Sequence, residues 1–297
     1  MCFLILPNRS NRVGGVAVGR IKSMKVSSNL FLSRAVLAAL MFAPAASSAI
    51  TIFSESFSGA SVNTGSLDNQ SIINGLTGGT VQWAANGFAT ESGILNTGQF
   101  EGSAVLDFIP ETGNIYTLSL DVTSSSSRWI GLGFSTNGPT EDGAGDSLLN
   151  APGQRFVGLG GRSWFLYRPD AATVAEEVQI FGGPDTDNGI ADTDTDFDAA
   201  FTGVRNLSVI LDTTADATGA TYQADFLIDG VSLLSGGPAT INADISTIGH
   251  VGFTFEGPAG AAQPITVDNF LLEQVPEPSS AALLGLGGLA LILRRHK

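Results

Sequence analysis

The main part of this sequence has almost no cysteine, lysine or histidine, and each shortage excludes a class of protein. The one cysteine is Cys2, so residues 50–274 can form neither a disulfide framework nor a thiol nucleophile. These residues also contain no lysine, and they carry five arginines against 27 acidic residues, a net charge of −22. Such a charge excludes nucleic acid and anionic membranes as partners, because both are polyanions. Cations are the natural partners of this surface.

The C-terminus combines a short polar motif, an apolar stretch and a basic cluster. Pro276, Glu277 and Pro278 precede residues 279–293, which carry no charge, and the chain ends on the basic residues 294–297. As a helix, the 15 apolar residues span about 22 Å, which is short of the ~30 Å hydrocarbon core of a bilayer. The basic end marks the cytoplasmic side. The pattern predicts a short transmembrane helix that stays in a membrane only transiently. The two prolines separate this helix from the folded domain that precedes it.

This tail resembles the PEP-CTERM sorting signal of Gram-negative bacteria, which has the same three elements in the same order. The resemblance covers residues 275–297. It implies export, recognition by an exosortase membrane protease and cleavage near the tripeptide. It also implies transient anchoring in the inner membrane and delivery to the cell surface or the exopolysaccharide matrix. An ordinary C-terminal anchor is the alternative, and both interpretations place the domain outside the cytoplasm.

The N-terminus carries an export signal of its own. Basic residues precede an apolar run at residues 35–43, and small residues lead up to Ala49. The pattern predicts a signal helix that signal peptidase removes between Ala49 and Ile50. Starting the chain at Met24 would give this signal an ordinary length, whereas a genuine long leader from Met1 is the alternative. We therefore divide the chain into a leader and signal peptide (1–49), one folded domain (50–274) and the sorting signal (275–297).

The folded domain shows the alternation of apolar and polar residues that is typical of half-buried strands. Residues 115–122 place Leu118, Leu120 and Val122 on one face and polar residues on the other. The same period recurs around residues 130–134, 207–211, 222–228 and 251–255. Asp229-Gly230 predicts a tight hairpin, because a type I′ turn needs two residues that tolerate positive φ. No comparable stretch has a helical period, so the sequence predicts an all-β, two-sheet antiparallel sandwich.

The two ends of the domain resemble the concanavalin A-like lectin/glucanase group, which includes laminin G-like domains. An opening strand at residues 53–57 would pair near a closing strand at residues 265–271, with the Ile228-Asp229-Gly230 hairpin and residues 248–253 between them. The resemblance implies a sandwich of the jelly-roll type, which the size of the domain also favours over an immunoglobulin-like one. It extends over about 220 residues.

No catalytic motif stands out in the domain. Family 16 glycoside hydrolases of this fold carry Glu-x-Asp-x-x-Glu on one strand, and that motif is absent. Glu176 and Glu177 would point to opposite faces of a strand, so they do not form an acid/base pair. His250 is alone in a predicted strand, and a catalytic or metal-binding arrangement would have to recruit partners from distant sequence. We expect a noncatalytic protein, with a glycan-active hydrolase or lyase as the alternative.

The densest acidic stretch is a candidate calcium site. It places aspartates at alternate positions in a glycine-containing loop, and hard carboxylate oxygens close together are what Ca²⁺ requires. The spacing departs from the EF-hand pattern, since the glycine comes one residue early and no glutamate closes the loop. A solvated acidic loop is the alternative. The candidate ligands are Asp185, Asp187, Asp192, Asp194 and Asp196.

Residues 162–168 hold the densest group of aromatic side chains, which could stack on sugar rings. In a strand, Trp164 and Arg168 would share one face with Leu166, and Tyr167 would lie on the other face with Phe165. Trp164, Tyr167 and Arg168 are thus candidate sugar contacts, although packing in the core is the commoner role of such aromatics. Together these features predict an exported surface or matrix protein whose sandwich binds polysaccharide or calcium, or forms part of the extracellular layer.

Overall fold

The computed structural model describes residues 48–57, 67–86, 88–91, 94–97, 101–124, 129–136, 161–168, 177–182, 189–193, 203–256 and 265–276. All of them belong to the compact unit that spans residues 46–297. The predicted signal helix and the predicted transmembrane helix lie outside these residues. No helix in the described part of the chain is long and apolar enough to cross a membrane.

The described residues form antiparallel strands and one 3₁₀ turn, Ile245–Thr247. The strands are β1 (Ile50–Glu55), β2 (Ser71–Ile73), β3 (Thr80–Gln82), β4 (Ala84–Asn86), β5 (Phe88–Glu91), β6 (Ile94–Thr97), β7 (Glu101–Asp107), β8 (Asn114–Ser124), β9 (Trp129–Ser135), β10 (Gly161–Arg168), β11 (Glu177–Phe181), β12 (Gly189–Thr193), β13 (Val204–Asp212), β14 (Tyr222–Ile228), β15 (Val231–Ser232), β16 (Ala239–Ile241), β17 (His250–Glu256) and β18 (Ile265–Pro276).

Two large sheets account for most of these strands. The first sheet has the order β15-β14-β13-β8-β18-β6-β5, with β1 also paired to β18 and β16 to β14. The second sheet has the order β12-β11-β10-β9-β17-β7-β4, and β2 and β3 form a separate hairpin. Each sheet combines consecutive strands, such as β13 with β14 and β9 with β10, with strands that are distant in sequence, such as β8 with β18 and β9 with β17. This is the all-β, two-sheet antiparallel sandwich that the sequence predicts.

The hydrophobic core lies between the two sheets and is rich in aromatic side chains. Trp83, Phe253 and Phe270 come from different parts of the chain, and the Trp83 ring is 5.8 Å from that of Phe253 and 5.0 Å from that of Phe270. Elsewhere in the core, Phe165 of the second sheet meets Phe226 of the first in an edge-to-face contact at 6.0 Å. Such contacts hold the sheets face to face without any disulfide.

The strand pattern predicted from alternation is confirmed. In β8, Leu118, Leu120 and Val122 are buried and the residues between them are less so. The predicted hairpin after β14 is also present, with φ values of 51° at Asp229 and 77° at Gly230. These two positive angles are what a type I′ turn requires.

The first and last strands of the sandwich pair with each other. β1 runs antiparallel to β18, with Ile50 opposite Gln274 and Glu55 opposite Phe270. On its other side β18 pairs with β8 as far as Pro276, which lies opposite Asn114. The predicted pairing of the opening and closing strands is thus confirmed. The chain therefore begins and completes its sandwich at the same end of the first sheet.

Candidate functional site

A polar pocket opens on the face of the first sheet that is turned away from the core. Its volume is about 220 Å³. The adjacent strands β8 and β18 supply most of its wall, and the first residue of β13 completes it. The lining residues are Asp121, Thr123, Val204, Thr266, Val267, Asp268 and Asn269. Alternation explains the outward position of the polar ones, because the buried Val122 and Val267 lie between them in their strands.

A β-bulge in β18 shapes one wall of the pocket. The register of β18 against β8 shifts between Asp268 and Leu271, and Asn269 within the bulge has a φ of 51°. Asparagine tolerates this left-handed conformation better than most residues. The bulge directs the Asn269 side chain across the strand, where its Nδ2 donates a hydrogen bond to Asp121 Oδ2 at 2.8 Å. Bulges are often found where a sheet has to direct a side chain toward a site.

Asp121 is held from both sides. Asn206 Nδ2 donates to its Oδ1 at 2.7 Å, opposite the hydrogen bond from Asn269. Asn206 is itself fixed, because Ser208 Oγ donates to its Oδ1 and its backbone N–H donates to Asp229 Oδ1. The carboxylate of Asp121 therefore has one defined orientation at the pocket wall.

Asp268 is the register partner of Asp121 on the neighbouring strand, so two carboxylates line the same pocket. Next to them, Glu55 of β1 is half-buried, and burial raises its pKa, with the charge of Asp268 adding to the effect. Thr123 and Thr266 contribute hydroxyl groups. The pocket is thus rich in hydrogen-bond acceptors and suits a ligand that carries several donors, such as a sugar or another polyol.

The aromatic candidates of β10 lie on two different faces, as alternation predicts. Tyr167 packs into the main core, whereas Trp164 joins Leu166 and Phe181 in a separate cluster on the other face of the second sheet. The rings of Trp164 and Phe181 stack with their centroids 4.2 Å apart. Both Trp164 and Tyr167 are only 1% exposed, so neither ring offers a face to solvent in this structure. That these two residues contact sugar stays a prediction.

Arg168 is the most accessible of the three predicted sugar contacts, but its guanidinium group already interacts with two neighbouring side chains. The guanidinium carbon lies 4.7 Å from the centroid of the Trp129 ring, a cation–π geometry. Arg168 also forms an ion pair with Glu177, which is its register partner on β11. Glu177 therefore acts as a structural partner of Arg168.

The predicted calcium ligands fall mostly outside the described residues. Asp192 lies in β12 opposite Gln179 of β11, and Asp185, Asp187, Asp194 and Asp196 are beyond the part of the chain that the structure describes. Among the described residues no group of three or more His, Cys, Asp or Glu side chains could hold a metal ion. Calcium binding by the acidic stretch stays a prediction.

His250 contacts an acidic residue that is distant in sequence, Asp107. Its Nε2 is 2.9 Å from Asp107 Oδ1, and its Nδ1 is buried without a hydrogen-bond partner among the described residues. Ser135 is its register partner on β9, and Ser135 is completely buried. A buried hydroxyl cannot meet a substrate, so this arrangement links the ends of the neighbouring strands β17 and β7 and does not form an accessible nucleophile.

The sorting motif begins where the sheet ends. Pro276 is the last residue of β18, and Glu277 and Pro278 lie outside the described residues. The model of the PEP-CTERM protein-sorting motif matches residues 274–297 of this chain. The chain carries a PEP-CTERM sorting signal. The match confirms the resemblance of the tail, and such a signal belongs to exported proteins. Its counterpart at the other terminus, the Ala49–Ile50 junction, lies at the start of β1, and cleavage there stays a prediction.

Comparison with other proteins adds a likeness of fold. No curated protein matches the sequence. The metal-free carbohydrate recognition domain of Emp46p is similar at 14% identity and a TM-score of 0.42, over 64% of this chain and 87% of that one. A lectin from Bauhinia forficata, in complex with GalNAc, is similar at 12% identity and a TM-score of 0.42, over 77% and 99%.

A third similar structure belongs to an enzyme. A mutant of the alginate lyase Aly36B, in complex with an alginate trisaccharide, has 14% identity and a TM-score of 0.35, over 77% of this chain and 98% of that one. These three structures share little sequence identity with this chain.

The sequence alone did not identify the pocket. Alternation places Asp121 on the outer face of its strand, and Asp268 and Asn269 belong to the predicted closing strand. What the sequence could not predict is that β8 and β18 are neighbours, because 147 residues separate Asp121 from Asp268. An Asp-Asn pair inside an otherwise alternating strand is the one local signal, since it interrupts the period where the bulge forms.

Proposed function

We propose that this protein is exported, is sorted by an exosortase-type membrane protease, and serves at the cell surface or in the exopolysaccharide matrix as a noncatalytic polysaccharide-binding sandwich. The match to the sorting motif at residues 274–297 supports the proposed route. Signal peptidase and the exosortase are the partners during export, and residues 279–293 anchor the chain in the inner membrane until it is processed. In this proposal the leader and signal peptide are residues 1–49, the folded domain is residues 50–274, and the sorting signal is residues 275–297.

The polar pocket is the main observation that supports the proposed polysaccharide binding. It offers carboxylate, amide and hydroxyl groups on one open face, and hydrogen bonds from sugar hydroxyls to a carboxylate are stronger than those between neutral groups. Two carboxylates in the pocket and a net charge of −22 over residues 50–274 disfavour acidic polysaccharides. We therefore propose neutral or amino-sugar polymers as the ligand class.

A pair of conservative variants on one strand tests this binding. Asp268→Asn removes a pocket carboxylate without changing its size, and Glu273→Gln makes the same change five residues away on β18, outside the pocket. On a glycan array of neutral and amino-sugar polymers, we expect Asp268→Asn to weaken binding about tenfold, or about 1.4 kcal/mol. Glu273→Gln should bind like the wild type. Equal affinity of all three proteins, or no binding by any, would refute the proposed activity.

The calcium proposal has its own arm in the same experiment. If the acidic stretch binds Ca²⁺ and the ion supports the fold or the ligand, a chelator lowers glycan binding and added calcium restores it. Replacing Asp185 and Asp187 with asparagine should then make binding insensitive to the chelator. If the wild type binds glycan equally well with and without chelator, calcium has no role in glycan recognition.

The pairing of Asp121 with Asp268 favours one second candidate, a glycan-active hydrolase. Glycosidases place two carboxylates about 5 to 9.5 Å apart across a groove, and here two carboxylates on neighbouring strands line one pocket. Both oxygens of Asp121 already accept amide hydrogen bonds, which is why we prefer the binding role. A reducing-end assay separates the two: a hydrolase would release sugar ends, and Asp268→Asn would abolish that release.

A further inference from the structure

We infer that the end of the sandwich where β1 begins and β18 ends rests on the surface of the bilayer while the chain is anchored, held there by the sorting tail and contacting lipid through a rim of exposed apolar side chains. This inference rests on the proposed anchoring by residues 279–293, and it adds the surface through which the folded domain meets the membrane. We call this surface the apolar rim and define it by Ile50, Ile73, Leu76 and Ile109.

The first argument is the absence of a spacer between sheet and membrane segment. The main-chain pairing of β18 with β8 extends to Pro276, and the apolar segment begins at Ser279. Three residue steps, fully extended, reach no more than about 11 Å. Once residues 279–293 are in the bilayer, the end of β18 therefore has to lie at the level of the lipid headgroups.

The second argument is that the N-terminal signal leads to the same place. Ile50 lies opposite Gln274, so the point where the leader joins the domain is next to the point where the tail leaves it. Six residues, 44–49, separate the apolar run of the leader from Ile50. An unprocessed chain would thus be tied to the membrane twice, both times at this end of the sandwich.

The third argument is the distribution of exposed apolar side chains. Among the described residues, six large hydrophobic side chains are exposed, and the four of the apolar rim lie at this end. Ile109 follows β7 in the connection that leads to Asn114, the register partner of Pro276, and is 71% exposed. Exposed apolar side chains gathered near one another commonly mark a contact with a protein or a membrane.

The β2–β3 hairpin brings the other two members of the rim to this end. Gly75 N–H in its turn donates to Ile52 O of β1 at 2.8 Å, which fixes the turn beside the first half of that strand. A Cβ at Gly75 would lie 2.0 Å from Thr51 O, so only glycine permits this approach. Ile73 and Leu76 flank this glycine and are 69% and 46% exposed.

The opposite end of the first sheet has the features expected of a surface that faces away from the membrane. The polar pocket lies there, and its β18 residues 266–269 are seven to ten residues, or roughly 23–33 Å, from Pro276. Of the exposed large hydrophobic side chains in the described part of the chain, the two outside the rim, Val204 and Val231, also lie toward this end. The acidic domain is repelled by anionic lipid, so only the tether and the rim keep it at the bilayer, and cleavage releases it.

Depth-dependent fluorescence quenching tests this orientation. In a chain with Cys2→Ser, the variants Leu76→Cys and Ile109→Cys each carry one environment-sensitive label on the rim, and Val204→Cys and Val231→Cys carry matched labels at the far end. The full chains are reconstituted into phosphatidylcholine vesicles that contain quencher lipids with the quencher at the headgroup. We expect at least twofold quenching and a blue shift for labels at 76 and 109, and neither effect at 204 and 231.

Flotation of the same vesicles separates the two ways in which the inference can fail. Chains that do not float with the lipid would refute the anchoring itself, and the inference with it. Chains that float while the labels at 76 and 109 stay unquenched, or while all four labels are quenched alike, would refute the orientation and leave the anchoring intact. Circular dichroism of each labelled chain shows whether it has folded, and having two positions at each end keeps the comparison decisive if one variant misfolds.

Discussion

At the scale of single residues, Asn269 links backbone shape to the chemistry of the pocket. Its φ of 51° lets β18 bulge, and the same residue donates the hydrogen bond that orients Asp121. Glycine could adopt the backbone angle but could not donate, and most other side chains would be strained there. An asparagine at this point therefore serves the fold and the candidate site together.

His250 makes the stability of the domain depend on pH. Burial lowers its pKa below the ordinary 6.5, and the nearby carboxylate of Asp107 opposes this only in part. The folded state therefore prefers the neutral imidazole, whose contribution is complete above pH 6.5 and is lost as the pH falls through the lowered pKa. We expect the free energy of unfolding of the wild type to fall more steeply between pH 7 and pH 5 than that of His250→Gln.

Urea unfolding at several pH values measures this difference. Asp107→Asn serves as the companion variant, because removing the carboxylate lowers the pKa of His250 further, so that the loss of stability extends to lower pH and becomes larger. Parallel pH profiles for the wild type and His250→Gln would mean that this histidine is not linked to folding.

At the scale of elements, the hairpin between β14 and β15 depends on a single aspartate. Asp229 has positive φ, its Oδ1 accepts a hydrogen bond from Asn206 N at 2.9 Å, and its Oδ2 lies 2.6 Å from Arg205 Nη1. Asp229→Ala removes a residue that tolerates positive φ and also removes both side-chain contacts. It should lower the free energy of unfolding by about 1–3 kcal/mol. Asp229→Asn keeps the tolerance of positive φ and a side-chain oxygen that accepts from Asn206 N. It should lower the free energy of unfolding by less than about 1 kcal/mol.

Chemical denaturation of the two variants checks this ranking. Equal costs for Asp229→Ala and Asp229→Asn would assign the effect to the charge pair with Arg205. In that case the turn would not need a residue that favours positive φ, contrary to the type I′ interpretation.

The elements that the sequence predicts best are the long strands with one buried face. β8, β13, β14 and β17 repeat apolar residues at every second position, and in β8 and β14 every second residue is buried. Short strands such as β2 and β16, of three residues each, are too short to show a period. The Asp268-Asn269 pair interrupts the alternation in β18, but the bulge itself could not be predicted, because it depends on the register against β8.

At the scale of the whole molecule, the last described strand completes the fold. Phe270 and Leu272 of β18 are fully buried, and β18 is paired on both sides. A chain that ends at Pro276 should unfold cooperatively, whereas a chain that ends at Asn269 loses both side chains and the pairing with β1. Loss of two such buried side chains costs several kcal/mol, which is comparable to the stability of a whole domain.

Thermal unfolding followed by circular dichroism distinguishes the two truncated chains. We expect a cooperative transition for the chain that ends at Pro276 and none for the chain that ends at Asn269. A cooperative transition at the same temperature in both chains would mean that the C-terminal half of β18 is dispensable, and that the sandwich is not completed at the sorting motif.

The candidate site could be predicted only in part, for reasons of topology. Alternation identifies which side chains leave the core, so Trp164 and Arg168 were correctly placed on one face of their strand. It does not tell what covers that face, and Trp164 is in fact buried against Phe181. Nor does it tell which strands are neighbours, and the pocket exists only because β8 and β18 pair.

Intact-mass measurement of the protein recovered from the surface or matrix fraction of its own cells tests the central claim most directly. The account predicts a chain that starts at Ile50, ends after Pro276 within the sorting signal and lacks the apolar segment 279–293. Recovery of the protein only from the cytoplasm, with residues 1–49 and 279–297 still attached, would contradict it.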